Sequence, residues 1–363
     1  MNKLGFGLLR LPQKDGTVDW DLVDQLVDVY MKNGGDYFDT CYTYLNGMSE
    51  ESLRRCIVQR KPRESFRIAE KIPGYKCESR EDCAKYFEEE RQRCGVETFD
   101  VLMLHWLNGK NYETAEKFGQ FEFLSQKKKE GQAVRIGFSY HDSAALQDTI
   151  LTRHPEVDVV QLQINYLDWD SAGIESRKCY EVCVRHQKPV IVMEPVKGGT
   201  LARIPEEAET ILKAVHPDWT PSDWALRFVQ SLPGVEICLS GMNAMDQVIA
   251  NTADFQPLTQ DEVRTLLSIV PIINGKTAVP CTGCRYCVEH CVKNIPIPDY
   301  FKMYNEIIRS PQDDWKIKPS YAQLSATHGK ASDCIACRNC QRHCPQKISI
   351  PDLLKDAARL LEQ

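Results

Sequence analysis

Residues 37–44 read Tyr-Phe-Asp-Thr-Cys-Tyr-Thr-Tyr. An aromatic start (Tyr37, Phe38) turns at once into a polar run (Asp39, Thr40), the pattern of a short buried strand whose last residues leave the core. The same pattern returns downstream. Phe66 to Lys71 ends in Ala69-Glu70-Lys71, and Val101 to His105 is followed by Trp106. Asp39 to Lys71 is a step of 32 residues and Lys71 to His105 a step of 34, each the length of one strand–helix unit.

Working outward, further strands are predicted at Gly5 to Leu9, Val134 to Ser139, Val159 to Gln163, Val190 to Met193 and Glu236 to Ser240. Amphipathic stretches between them predict helices over Asp19 to Asn33, Arg80 to Cys94, Ser171 to His186 and Pro221 to Ser231, the last with Thr220 as N-cap and Pro221 as first helical residue. Eight such units in about 250 residues predict an α/β fold of the TIM-barrel, (β/α)8 type, over residues 1–273. A doubly wound sheet is the alternative, but it carries a G-x-G-x-x-G turn after its first strand. Here Gly5 and Gly7 lie inside the strand and no such turn follows.

Composition agrees with a globular protein: 363 residues, 42% hydrophobic and 26% charged. No apolar run approaches the ~18 residues of a spanning helix. The apolar stretch Leu4 to Leu9, closed by Arg10, is too short for a signal peptide, so the expectation is a cytoplasmic chain without membrane partners. A net charge of −6 argues against nucleic acid as a partner.

Polar strand ends in a barrel converge on one mouth. The segment Asp39-Thr40-Cys41-Tyr42-Thr43-Tyr44, with Lys71 and His105 each closing a later strand, resembles the aldo/keto reductase superfamily. The resemblance implies a catalytic tetrad of Asp39, Tyr44, Lys71 and His105 and a small carbonyl or alcohol substrate. The chemistry is coherent. Reducing a carbonyl needs a hydride on carbon and a proton on oxygen. A free tyrosine ionises near pH 10, so Lys71 is expected to lower Tyr44, Asp39 to keep Lys71 charged, and His105 to direct the substrate oxygen. The resemblance also implies a nicotinamide site, with Ser139 and Gln161 on the carboxamide and Met193 where many members stack an aromatic ring. Pro195, Gly198 and Gly199 would stand at the pyrophosphate, and Gly241, Gln247 and Asn251 at the adenosine end. Gly241 to Gln247 contains no Lys or Arg, and a ribose 2′-phosphate calls for a cation, so NADP and NAD both remain open.

Sixteen cysteines are the anomaly, eight of them between Cys281 and Cys344. A reducing cytosol disfavours disulfides, so a dense cluster points to metal or redox chemistry. The runs are Cys281-x2-Cys284-x2-Cys287-x3-Cys291 and Cys334-x2-Cys337-x2-Cys340-x3-Cys344-Pro345. This spacing is that of bacterial two-cluster ferredoxins, in which the fourth cysteine of each run ligates the other cluster. The likeness implies one 4Fe-4S cluster on Cys281, Cys284, Cys287 and Cys344, and a second on Cys334, Cys337, Cys340 and Cys291. Zinc sites use separated pairs instead. A ferredoxin-like domain over 274–363 follows, with Asn274 to Pro280 as linker and helices over Asp299 to Arg309 and Pro351 to Leu361. Fused behind the barrel, it resembles the iron-sulfur branch of the aldo/keto reductases.

These readings predict an NAD(P)-linked oxidoreductase, with Tyr44 as general acid/base and electrons exchanged with an external carrier through the clusters. A hydride carries two electrons and a cluster takes one, so the clusters are structural, a relay to an external partner, or wired to a flavin. The alternatives are an electron-transfer or redox-sensing protein whose barrel binds cofactor without turnover, and a cofactor-free lyase or isomerase using Tyr44 and Lys71.

Overall fold

The computed structural model describes residues 3–171, 174–253, 255–309 and 314–362. Eight parallel strands close a barrel: β1 (Leu4–Gly7), β2 (Tyr37–Asp39), β3 (Arg67–Ile72), β4 (Phe99–Leu107), β5 (Ala133–Tyr140), β6 (Val159–Gln163), β7 (Val190–Met193) and β8 (Val235–Ser240). Closure runs through β1, which pairs with β8 (Gly5 with Leu239) and with β2 (Gly5 with Tyr37). Gly5 is needed there. A Cβ on it would lie 2.7 Å from the side chains of Ile237 and Leu239 and 3.0 Å from Tyr37. Gly5 therefore serves barrel closure and not a phosphate turn.

The barrel interior is a layer of Tyr37, Ala69, Val101, Met103, Val159, Ile191, Ile237 and Leu239. Strand side chains alternate between faces, so two residues further along each strand the inward position falls to Asp39, Lys71, His105, Gln161 and Met193. The packed layer below thereby aims the polar layer above.

Helix α1 (Trp20–Lys32) starts where Asp19 Oδ1 accepts from Leu22 N–H at 3.1 Å, an N-cap worth about 1 kcal/mol. It buries Val23, Leu26, Val27 and Tyr30, each worth roughly 1.5–3 kcal/mol of apolar burial. Tyr30 Oη donates to the Leu4 carbonyl at 2.8 Å. Helices α2 (Met48–Leu53) and α3 (Asp82–Cys94) follow β2 and β3. The region predicted as a helix from Ser171 begins its helix at Ser176; Ala172 and Gly173 lie outside the described residues.

By compactness the chain forms two units: Met1–Pro195 with Ala225–Leu258, which holds the whole barrel sheet, and Val196–Trp224 with Thr259–Gln363. In the second unit a helix runs Val270–Gly275 with Pro271 in its first turn. Pro271 opens this helix, because proline fits a first turn that lacks N–H partners anyway, and the helix takes in Asn274 and Gly275, expected as the start of a linker. The core of this unit gathers Ile295, Ile297, Tyr300, Phe301, Ile348, Ile350 and Leu354. It carries an internal repeat. Each fourth cysteine is followed by Ile-x-Ile-Pro (Cys291 by Ile295 to Pro298, Cys344 by Ile348 to Pro351), and each motif opens a helix, Ile297–Arg309 or Ile350–Leu361. His290 and His343, each preceding its fourth cysteine, stack at 3.5 Å.

Candidate active site and cluster-binding cysteines

Lys71 Nζ donates to Asp39 Oδ1 and to the Thr40 carbonyl, both at 2.7 Å, with no solvent exposure at its side chain. The ammonium lies 4.9 Å from the Tyr44 ring centroid, and that ring meets His105 edge-on at 5.9 Å. The four predicted tetrad residues therefore stand around one mouth. The turn that delivers Tyr44 is held by its N–H donating to the Cys41 carbonyl at 3.0 Å. Beside it, Thr40 and Ser49 share a hydroxyl bond of 2.6 Å, and Ser49 donates to the Leu8 carbonyl.

Burial would lower Lys71, but Asp39 and its neighbours outweigh it and raise it, so the ammonium persists. Burial raises Asp39, and Lys71 opposes that shift. Tyr44 corrects the expectation from sequence. Burial holds its phenol well above the usual 10, and the Asp39 carboxylate adds to the rise. The Lys71 charge is paired with Asp39, and burial leaves the Tyr44 phenol protonated. Burial also holds His105 well below 6.5, with the Lys71 charge contributing, so its imidazole is neutral.

One partner was missed in sequence. Cys41 Sγ lies 3.1 Å from His105 Nδ1. Burial pushes the Cys41 thiol far up, so it keeps its proton. Cys41 Sγ also donates to the Lys71 carbonyl at 3.7 Å, so the thiol can either donate to Nδ1 or accept from an Nδ1–H.

Ser139 and Gln161 are register partners on β5 and β6. Ser139 Oγ accepts from the Trp106 N–H at 2.7 Å, holding Trp106 in the left-handed region (φ 59°) directly after His105. Gln161 Oε1 is buried and has no hydrogen-bond partner. An orphaned amide oxygen beside a hydroxyl fits a ligand amide, which donates through NH2 and accepts through C=O. Met193 packs on the interior layer, and Pro195 is buried. Asn251 Nδ2 donates to Ser240 Oγ at 3.1 Å, and Gln247 Oε1 accepts from Asn243 N–H at 2.9 Å. Arg10 was also missed. Its side chain lies along Gly241, 3.4–3.8 Å from where a Cβ would stand, and its guanidinium pairs with Glu194 at 3.0 Å. Gly198 and Gly199 belong to the second unit. Gly198 (φ 63°) has its Cβ position 2.1 Å from the Thr282 carbonyl, so its bare backbone is spent against the cysteine-rich segment, whereas Gly199 is open.

Cys281, Cys284, Cys287 and Cys344 line one cleft, walled by Ile297, Phe301 and Ile350. Burial raises the Cys287 thiol, and Cys284, Cys281 and Cys344 add to the rise. The thiol of Cys340 is raised in the same way, by burial and then by Cys291 and Cys334. The fourth cysteine of each run thus faces the other run. Among the described residues, no three of these thiols lie within 4.8 Å of one another. Tetrahedral zinc at about 2.3 Å would draw its sulfurs to about 3.8 Å, so the spread suits the larger iron-sulfur group.

Residues 3–271 match the model of the aldo/keto reductase family, and residues 280–349 match a 4Fe-4S dicluster domain. Among solved structures, the barrel is similar to the holo form of aldo-keto reductase AKR11C1 from Bacillus halodurans. Identity there is 21% over 74% of this chain and 91% of that one, with a TM-score of 0.60. It is also similar to an aldo-keto reductase from Klebsiella pneumoniae in complex with NADPH, at 19% identity, the same coverage of both chains and a TM-score of 0.60. The fold and the family models together define an oxidoreductase with an iron-sulfur module. The chain belongs to the aldo/keto reductase family. Among the described residues no helix is long and apolar enough to cross a membrane.

Proposed function

We propose that this chain interconverts a small aldehyde or ketone and its alcohol with a nicotinamide cofactor. Tyr44 moves the proton, Lys71 and Asp39 set the field around it, and His105 orients the substrate oxygen. The observation that carries this reading is the convergence of the buried Lys71–Asp39 pair, the Tyr44 phenol and the His105 ring at one barrel mouth. Bound nicotinamide supplies the hydride. Ser139 and Gln161 hold its amide, Gln161 through the oxygen that is otherwise orphaned. The substrate oxygen accepts from Tyr44 Oη–H and from the ring N–H of His105, two donors held at one mouth. The structure of the similar Klebsiella enzyme with NADPH supports this reading.

Arg10 would provide the cation missing from Gly241 to Gln247. Arg10→Ala is expected to raise the KM for NADPH more than tenfold, as loss of a charge-assisted contact of about 1.5–3 kcal/mol would do, and to change kcat little. Steady-state kinetics with both nicotinamides read this. Cys41→Ala is expected to lower kcat/KM for the carbonyl about fivefold, the worth of a neutral hydrogen bond of about 1 kcal/mol, because His105 then loses the contact that fixes its ring. An unchanged value would show that Cys41 is only packing.

The eight tail cysteines hold two 4Fe-4S clusters in the crossed arrangement given above, passing single electrons to an external carrier. The deciding experiment is anaerobic. Carbonyl-dependent NAD(P)H consumption supports the reading; cofactor binding without turnover across a broad carbonyl panel sinks it.

A further inference from the structure

Behind Lys71, on the outer face of β3, lies a second cluster of acids that the carbonyl chemistry does not use. Glu70, on β3, presents its carboxylate outward between α2 and α3. Ligand atoms of Glu50, Glu70 and Cys94 lie within 4.8 Å of one another, and all three residues are buried. Glu90 sits one helical turn before Cys94 on α3, so the two share a face. It is fully buried, and neither carboxylate oxygen has a partner. The charges of Glu70 and Glu50 act on it directly.

The existing bonds do not satisfy this group. Glu70 accepts from the Lys71 N–H at 2.8 Å and from the Cys94 thiol at 3.3 Å. Glu50 uses one oxygen on Arg93 at 2.7 Å, and its other oxygen is orphaned. Arg93 is shared with Glu89. Arg93 pairs with Glu50 alone of the three, and burial raises all three carboxyls, because buried negative charge is costly unless paired. Protonation would remove the charge, but a protonated Glu90 would still have no acceptor for its O–H and no donor to its C=O. A cation serves the charge and the lone pairs together.

We propose that Glu50, Glu70 and Cys94, whose ligand atoms already lie together, form with Glu90 a closed structural site for a divalent transition-metal ion of the zinc type. Two carboxylate oxygens and one sulfur are in place, and an oxygen of Glu90 turning onto the ion completes a four-donor set. The sulfur favours zinc over magnesium or calcium, which take oxygen only. Cys94 releases its thiol proton on binding, as a metal-bound cysteine must. The ion ties α2 and α3 to the strand that carries Lys71, while Arg93 holds the outer oxygen of Glu50 as a supporting contact.

The test uses anaerobically purified full-length protein with its clusters in place, dialysed against chelator. Metal analysis is expected to find about one zinc per chain beside the iron, and X-ray absorption at the zinc edge a shell of three oxygens and one sulfur. Cys94→Ser is expected to remove the sulfur from that shell. Glu90→Gln is expected to reduce retained zinc at least about tenfold, with iron content and cluster absorption unchanged as the control for folding. No retained zinc in the wild type overturns the site. So does a four-sulfur shell, which would place the zinc on the tail cysteines, and so does retention unaffected by both variants. Should a variant fail to fold, the wild-type zinc spectrum alone still decides.

Discussion

Tyr44→Phe lowers kcat for carbonyl reduction by about 10²- to 10⁴-fold, the contribution of a positioned general acid, and leaves nicotinamide binding in place. The substitution removes one oxygen and keeps the ring that packs on His105 and faces the Lys71 ammonium. Stopped-flow single-turnover rates, read beside fluorescence titration of NADPH, separate the two effects. A turnover within a few-fold of wild type would remove Tyr44 from the chemistry. The pH profile follows from the same environment. Reduction needs the protonated phenol, and burial raises its pKa well above 10. The acid therefore stays protonated as pH rises, and kcat/KM with NADPH shows no falling limb from Tyr44 between pH 7 and about 10. A limb near neutrality would mean that bound cofactor or substrate reverses the balance between burial and the Lys71 charge.

The second large effect concerns which cysteines belong together. Cys344 shares a cleft with Cys281, Cys284 and Cys287, and Cys291 acts on Cys340. Losing a ligand costs its cluster of four irons. With one cluster per crossed set, Cys281→Ala combined with Cys344→Ala removes about four of about eight irons, because both changes strike one cluster. Cys281→Ala combined with Cys291→Ala removes nearly all the iron, because each change strikes a different one. Iron analysis and the visible absorption of anaerobic protein read the difference. The reverse pattern would mean that each run closes on itself, and low iron in the unaltered chain would end the cluster assignment.

Much of this was legible before any coordinates. A strand residue's facing depends only on parity, so the inward positions of Asp39, Lys71 and His105 follow from sequence once Tyr37, Ala69 and Val101 are known to be core. The helix predicted at Pro221–Ser231 is observed over those residues, since proline at the start and the Thr220–Asp223 capping bonds act locally. The cysteine runs are spaced too regularly for a core of buried thiols. Other features were not legible. The Cys41–His105 bond joins residues 64 apart. Arg10 reaches Gly241 only because β1 and β8 pair at barrel closure. Glu50, Glu70 and Cys94 have no motif spacing and come together only when α2 and α3 pack on β3.

The amino-acid order by itself determined the strand count, the inward alternation and the identity of the reactive groups, because period-2 patterning and ligand spacing are local properties of the chain. Tertiary structure alone decided how those groups behave. Exclusion of water and the proximity of charges distant in sequence keep Tyr44 protonated, make His105 neutral and gather carboxylates behind Lys71. Those energies depend on three-dimensional distance and burial, which no reading along the chain supplies.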